Sequence, residues 1–90
     1  MTAITATLLR QLPLTDIDRV TFFNRDELTT DLICCNVQAA GREWLFHEEM
    51  VGWEALLDHL KNLPDFRNDW FSAVSQPPFA TAKTVAFEKP

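Results

Sequence analysis

The chain has no tyrosine, only two glycines and no long apolar run among its 90 residues. Gly41 and Gly52 stand alone, which excludes the glycine-rich phosphate loops of Walker and Rossmann nucleotide sites. No apolar stretch approaches the ~20 residues that a membrane-spanning helix needs. The start of the chain also lacks the charged region and following apolar run of a secretory signal. These absences predict a cytoplasmic protein that does not span a membrane.

Cysteine is equally scarce, with Cys34 and Cys35 as the only two. Adjacent strand residues point to opposite faces, so a disulfide between them would need unusual backbone geometry. We therefore expect two thiols, which suits a reducing compartment. Only Cys34 is expected on the outer face, where a reactive thiol would still need a neighbouring cation or helix N-terminus. We favour the interpretation that both are small buried hydrophobic side chains.

Clusters of basic residues are also missing. Thirteen acidic residues against eight basic ones give a formal net charge of -5, and the basic residues are scattered from Arg10 to Lys89. Because nucleic-acid binding draws most of its affinity from neutralised phosphates, this dispersion predicts no nucleic-acid partner. It also argues against an anionic membrane surface. The acidic excess fits a basic protein partner, or solubility alone, which is the commoner reason.

Aromatic and aliphatic side chains are plentiful. Hydrophobic residues make up 47% of the chain, and seven Phe and three Trp supply its rings. Each ring removes ~150–250 Å² from water when buried, which predicts a folded domain rather than a disordered one. A chain of this size buries only roughly 60% of its unfolded surface. Some rings should therefore stay near the surface, which favours self-association.

The first half of the chain alternates between apolar and polar residues. This period of two predicts three antiparallel strands joined as a meander, over residues 17–23, 30–38 and 42–48. In the first strand Val20 and Phe22 share one face, and Phe23 points to the other. In the second strand Cys35 and Val37 are predicted to lie in the core.

The spacing of apolar residues changes to a helical period at Trp53. From there they follow the i, i+3, i+4, i+7 pattern of an amphipathic helix that ends before Pro64. Asp65 is the predicted N-cap of a second helix that buries Phe66 and Trp70.

Residues 83–88 alternate again and predict a closing strand, with Val85 and Phe87 on one face. The element order is therefore β-β-β-α-α-β. We predict a two-layer α+β fold, with an antiparallel sheet of about four strands and two helices on one face. Residues 13–90 form this single domain, and residues 1–12 are an N-terminal arm that could be an extra strand or a short helix.

A sheet covered on one face leaves its second face to explain. That face is expected to hold Phe23, Leu32, Cys34, Leu45 and one ring from the closing strand, which is too apolar for free solvent. We expect a homodimer through this face or through an edge strand, or else residues 1–12 folded over it. The substitution Cys34→Arg should then produce monomers.

The segment between the first two strands concentrates charged residues where an ordinary turn needs fewer. It predicts a hairpin tip that binds another, basic protein, as an immunity or inhibitor protein would. The residues expected to bind this partner are Phe23, Arg25, Asp26, Glu27 and Asp31. The alternative is a solvated loop whose charges pair with one another and contribute little to stability.

A weaker hypothesis places a small ligand or a metal in a pocket between sheet and helices. Its residues would be Cys34, His47, Glu49 and His59. The chain has neither C-x-x-C nor H-x-x-x-H spacing, so His59 is better explained by packing on the first helix and His47 as a strand-end residue. We assign no catalytic residue, metal or cofactor. The sequence favours a non-enzymatic interaction or assembly module over an enzyme.

Overall fold

The structure is a computed structural model that describes residues 3–26, 31–71 and 83–89. It confirms the predicted α+β fold, with one open antiparallel sheet in the order β3-β2-β1-β4. A single turn of 3-10 helix, Leu14–Asp16, precedes the sheet. The other elements are α1 (Ala6–Arg10), β1 (Ile17–Asp26), β2 (Asp31–Ala39), β3 (Arg42–His47), α2 (Trp53–Leu60) and β4 (Lys83–Glu88).

Two hairpins build the centre of the sheet. β1 pairs with β2 from Ile17 to Asp26, so the predicted first hairpin is confirmed, while residues 27–30 at its tip lie outside the described residues. β2 and β3 are joined by Ala40 and Gly41, whose φ angles are 51° and 77°. Positive φ at both central residues is what a type I′ turn requires, which explains one of the two glycines.

The core lies on one face of the sheet and follows the predicted alternation. Val20 and Phe22 of β1 are fully buried there, together with Leu56 and Leu60 of α2. The ring of Phe22 stacks on Trp70, with 3.9 Å between ring centroids. Such contact adds to the area that each ring removes from water. The apolar residues at every second position of the strands and those on one side of α2 therefore pack together in one layer.

The N-terminal segment packs on the same side as α2. The Ile4 N–H donates to the Val51 carbonyl at 2.7 Å, and Ile4 and Leu12 belong to the core. A short helix follows Thr5, whose hydroxyl accepts a hydrogen bond from the Leu8 N–H at 3.1 Å. For the described part of the arm, the expectation that it folds over the outer face of the sheet is therefore wrong.

The predicted second helix begins later than its sequence indicated. Asp65 has a φ of 56°, whereas an N-cap residue normally has extended backbone. Residues 61–69 form turns and irregular backbone, and helical conformation begins at Trp70. Phe66 and Trp70 are nevertheless buried as predicted. The rest of this predicted helix lies outside the described residues.

A β-bulge in β4 changes which residues face the core. Val20 pairs with Phe87 and Thr21 with Val85, so Ala86 is the extra residue between them. The Ala86 carbonyl accepts a hydrogen bond from the Arg67 N–H at 2.8 Å. Ala86 and Phe87 are consequently both buried. The expectation of strict alternation, with the Phe87 ring on the outer face, is wrong, and Val85 faces outward without it.

Candidate interaction surface

The face of the sheet turned away from the core is the candidate functional surface, and we call it the open face. It forms a trough of about 720 Å³. The described helices pack on the other side, so among the described residues it is the four strands that line this trough. Strand pairing arranges its side chains in three rows that cross the sheet.

The middle row runs across all four strands. Thr21 pairs with Val85 on one side and with Asn36 on the other, and Asn36 pairs with Leu45. Leu45 is 56% exposed and Val85 is 46% exposed. Two large apolar side chains thus stand in solvent at the two ends of this row, one on each edge strand.

The second row, which we call the Lys83 row, lies toward the hairpin tip. Phe23 pairs with Lys83 and with Cys34, and Cys34 pairs with His47. Lys83 is exposed, and Phe23 and His47 are half-buried. The described charge of this row is therefore the positive charge of Lys83, and the imidazole of His47 lies at its far end.

The third row, which we call the Glu88 row, lies at the opposite end of the sheet. Arg19 pairs with Glu88 and with Gln38, and Gln38 pairs with Glu43. Arg19 and Glu88 form an ion pair between exposed side chains. Glu43 accepts a hydrogen bond from the Asn36 amide at 2.6 Å. Arg19 and Glu88 keep their charges but balance each other, so the net charge of this row is the single negative charge of Glu43.

The two cysteines lie on opposite faces, as predicted, and both are thiols. Burial, and then the neighbouring Cys34, raise the pKa of Cys35 far above its usual range. Cys34 is on the open face but is only 1% exposed, and its thiol lies 3.9 Å from the Leu32 carbonyl oxygen. Neither thiol is presented to solvent as a reactive nucleophile.

His47 is the cross-strand neighbour of Cys34. The Glu48 N–H donates to the Ile33 carbonyl at 3.0 Å, so by alternation Cys34 and His47 form a non-hydrogen-bonded pair. Side chains approach most closely in such pairs. The Nδ1 atom of His47 is buried and has no hydrogen-bond partner among the described residues.

The other two residues of the ligand hypothesis lie elsewhere. Glu49 is exposed in the turn after β3. His59 is on α2, and its Nε2–H donates to the Leu12 carbonyl at 2.6 Å, which ties this helix to the N-terminal segment. Within the part of the chain that the structure describes, no group of three or more His, Cys, Asp or Glu side chains could hold a metal ion.

The structure reaches only part of the predicted hairpin-tip surface. Phe23 lies on the open face, half-buried, in the Lys83 row. Arg25, Asp26 and Asp31 continue the backbone pairing of β1 and β2, but their side chains, and Glu27 entirely, lie outside the described residues. Binding of a basic partner by this tip stays a prediction from the sequence.

Two members of the surface were not singled out by the sequence. Lys83 and Glu88 stand at the two ends of β4, and Glu88 joins the open face because the bulge shifts the register by one residue. The sequence pattern placed Val85 and Phe87 on the same face, so it did not show that Val85 is exposed there without Phe87. No signal in the sequence separates Val85 from Phe87, because both are apolar and two positions apart.

Exposed apolar side chains flanked by charged ones are typical of protein–protein contact surfaces.

Among residues 3–26, 31–71 and 83–89, neither helix has the length and apolar character to cross a membrane. Comparison with protein-family models, with curated proteins and with solved structures gives no match.

Proposed function

We propose that the protein is a non-enzymatic assembly module that acts as a homodimer, with the open face of its sheet as the contact surface. The observation that carries this proposal is the pair Leu45 and Val85, two large apolar side chains exposed over one trough. Two such faces would pack as the inner faces of a β-sandwich do. The two thiols support a reducing compartment, so we place the dimer in the cytoplasm.

The size of the face predicts a reversible dimer. Four strands about 4.8 Å apart, each about six residues long at about 3.3 Å per residue, cover roughly 400 Å² on each subunit. Two faces together bury roughly 800 Å², below the usual range for a stable complex. We therefore expect dissociation at roughly micromolar concentrations.

The decisive experiment compares two matched substitutions, Val85→Arg and Val51→Arg. Both valines are exposed, at 46% and 68%, but Val51 lies in the turn before α2 and away from the open face. Desolvating a guanidinium against an apolar partner is costly, so Val85→Arg should produce monomers. Val51→Arg should leave the dimer unchanged. Sedimentation equilibrium over a range of protein concentrations gives both masses.

Two results would contradict the proposal. The wild-type chain could be a monomer at concentrations well above the micromolar range, or Val85→Arg could dimerise as tightly as the wild type. Circular dichroism of each variant checks that the fold is intact, since both substitutions are on exposed positions and should change stability little.

A further inference from the structure

We infer that a second copy packs on the open face so that each strand lies over the same strand of the partner and runs in the opposite direction. The two-fold axis lies between the two sheets, is perpendicular to the strands and runs along the middle row. This inference rests on the proposed function, because it requires that the partner is a second copy of this chain. A two-fold interface brings each residue against a defined residue of the partner, so the rows fix the contacts.

Two orientations bring the faces together with the strands aligned. If the two-fold axis is parallel to the strands, each row faces the same row of the partner, and β4 lies over the partner's β3. Glu88 would then face Glu43 of the partner subunit, and Lys83 would face the partner's His47. The Glu88 row, with two carboxylates against one guanidinium, would then face its own copy, and contact between two net negative rows is unfavourable.

The perpendicular axis exchanges the rows instead. β4 then lies over the partner's β4 with its ends reversed, so Lys83 faces the partner's Glu88, and by symmetry Glu88 faces the partner's Lys83. At the other edge, His47 faces Glu43 of the partner subunit. On β4 each charged side chain therefore meets one of opposite sign, on β3 each imidazole meets a carboxylate, and the interface contains each of these contacts twice.

The perpendicular axis also gives favourable contacts in the middle of the interface. Leu45 meets the partner's Leu45 and Val85 meets the partner's Val85, so each exposed apolar side chain buries itself against its own copy. Phe23 of the Lys83 row faces Arg19 of the partner subunit, a cation over an aromatic ring, which is a favourable contact. The parallel axis would instead place Phe23 near the partner's Cys34, within the same row.

The twist of the sheets does not remove these contacts. Packed sheets cross at about 30°. On an edge strand, this rotation displaces a residue two positions from the axis by roughly 5 Å from the partner residue that it faces, given the spacing of the strands and their rise per residue. Lysine and glutamate side chains are long enough to span that displacement across sheets about 10 Å apart.

The first test uses two charge reversals, Lys83→Glu and Glu88→Lys. Alone, each variant should dimerise about tenfold or more weakly than the wild type, because both copies of the Lys83–Glu88 contact become like-charged. An equimolar mixture should form the mixed dimer almost exclusively, since each charge then faces its opposite. With one of the two variants labelled with heavy nitrogen, native mass spectrometry in ammonium acetate resolves the three dimers, and raising this volatile salt to about 0.5 M should reduce the preference.

Several outcomes overturn the orientation while leaving the dimer in place. A mixed dimer at about half of all dimers, the statistical share for a two-fold pair, would show that Lys83 and Glu88 do not meet. Tighter dimerisation of Glu88→Lys alone would favour the parallel axis, since this lysine would then face the partner's Glu43. A monomeric wild type, by contrast, refutes the proposed function itself.

A second measurement does not depend on the Arg19–Glu88 ion pair, which Glu88→Lys disrupts. Val85→Cys and Leu45→Cys are treated with a short bismaleimide, alone and mixed. Each variant alone should cross-link to its own copy, and the mixture should add no Val85–Leu45 product. A dominant mixed product would overturn the inference in favour of the parallel axis. The wild type, whose two cysteines are buried, gives the background.

Discussion

Gly52 offers a test of how the N-terminal segment is held. Its φ is 93°, and a Cβ built there would lie 2.1 Å from the Ile4 carbonyl oxygen, a backbone atom. Gly52→Ala therefore has two effects. It strains the backbone by about 1–2 kcal/mol, and it forces Ile4 away from the Val51 carbonyl to which it donates a hydrogen bond.

The expected loss in the free energy of unfolding is about 2–4 kcal/mol. The strain and a hydrogen bond of about 1 kcal/mol account for half or more of it, and partial exposure of the Ile4 side chain supplies the rest. A domain of this size is stable by only roughly 5–13 kcal/mol, so the effect is large. Urea denaturation followed by tryptophan fluorescence measures it.

Gly41→Ala is the matched control. Gly41 also has a positive φ, 77°, but nothing lies within 4 Å of a Cβ built there. Its substitution should cost only the strain, about 1–2 kcal/mol. Equal losses at the two glycines would refute the contact between Gly52 and Ile4. Because this contact is on the side of α2, folded Gly52→Ala protein should still dimerise as the wild type does.

Three further predictions follow from the core and the buried polar groups. Phe22→Ala, which removes a fully buried ring stacked on Trp70, should lower the free energy of unfolding by about 3–5 kcal/mol in urea titrations. His59→Ala should lower it by about 1–2 kcal/mol through the lost bond to Leu12, and sedimentation should show an unchanged mass. The raised pKa of Cys35 means that the unfolded chain releases this proton near the usual value of 9.0 while the folded chain retains it. Stability should therefore fall as the pH rises above 9.0, and Cys35→Ala should show a shallower fall; an identical slope would contradict the assignment.

The sequence was informative wherever a period was strong and a single face was buried. The i, i+3, i+4, i+7 stripe of α2 and the alternation of β1 to β3 predicted these elements within a few residues. Leu56, Leu60 and Phe22 could be placed in the core on that basis alone. Long, regular patterns leave few alternative ways to bury the same side chains.

The errors occurred where local chemistry allowed two conformations. Aspartate is common both at helix N-caps and in left-handed turns, and Asp65 takes the second. The bulge at Ala86 is invisible in the sequence because Val85 and Phe87 are both apolar and fit a strict alternation that places them on one face. Residues 3–12 have no clear period, so only contacts with Val51 and the core determine where they lie.

These errors changed which residue best tests the open face. From the sequence, Cys34→Arg was expected to separate a dimer, because Cys34 was placed among the exposed apolar residues. In the structure Cys34 is on that face but is only 1% exposed. An arginine there would have to be accommodated in a packed position, where overpacking and charge burial destabilise the subunit itself. A monomer obtained that way would be uninformative.

Val85 is not in a packed position. The bulge places Phe87 in the core and leaves Val85 exposed on the open face. Its side chain is half in solvent, so an arginine can be placed there without disturbing the subunit. Loss of the dimer in Val85→Arg, with an unfolding transition like that of the wild type, then reports the contact between subunits alone. The same bulge that contradicted the sequence pattern thus supplies the position at which the proposed assembly can be tested.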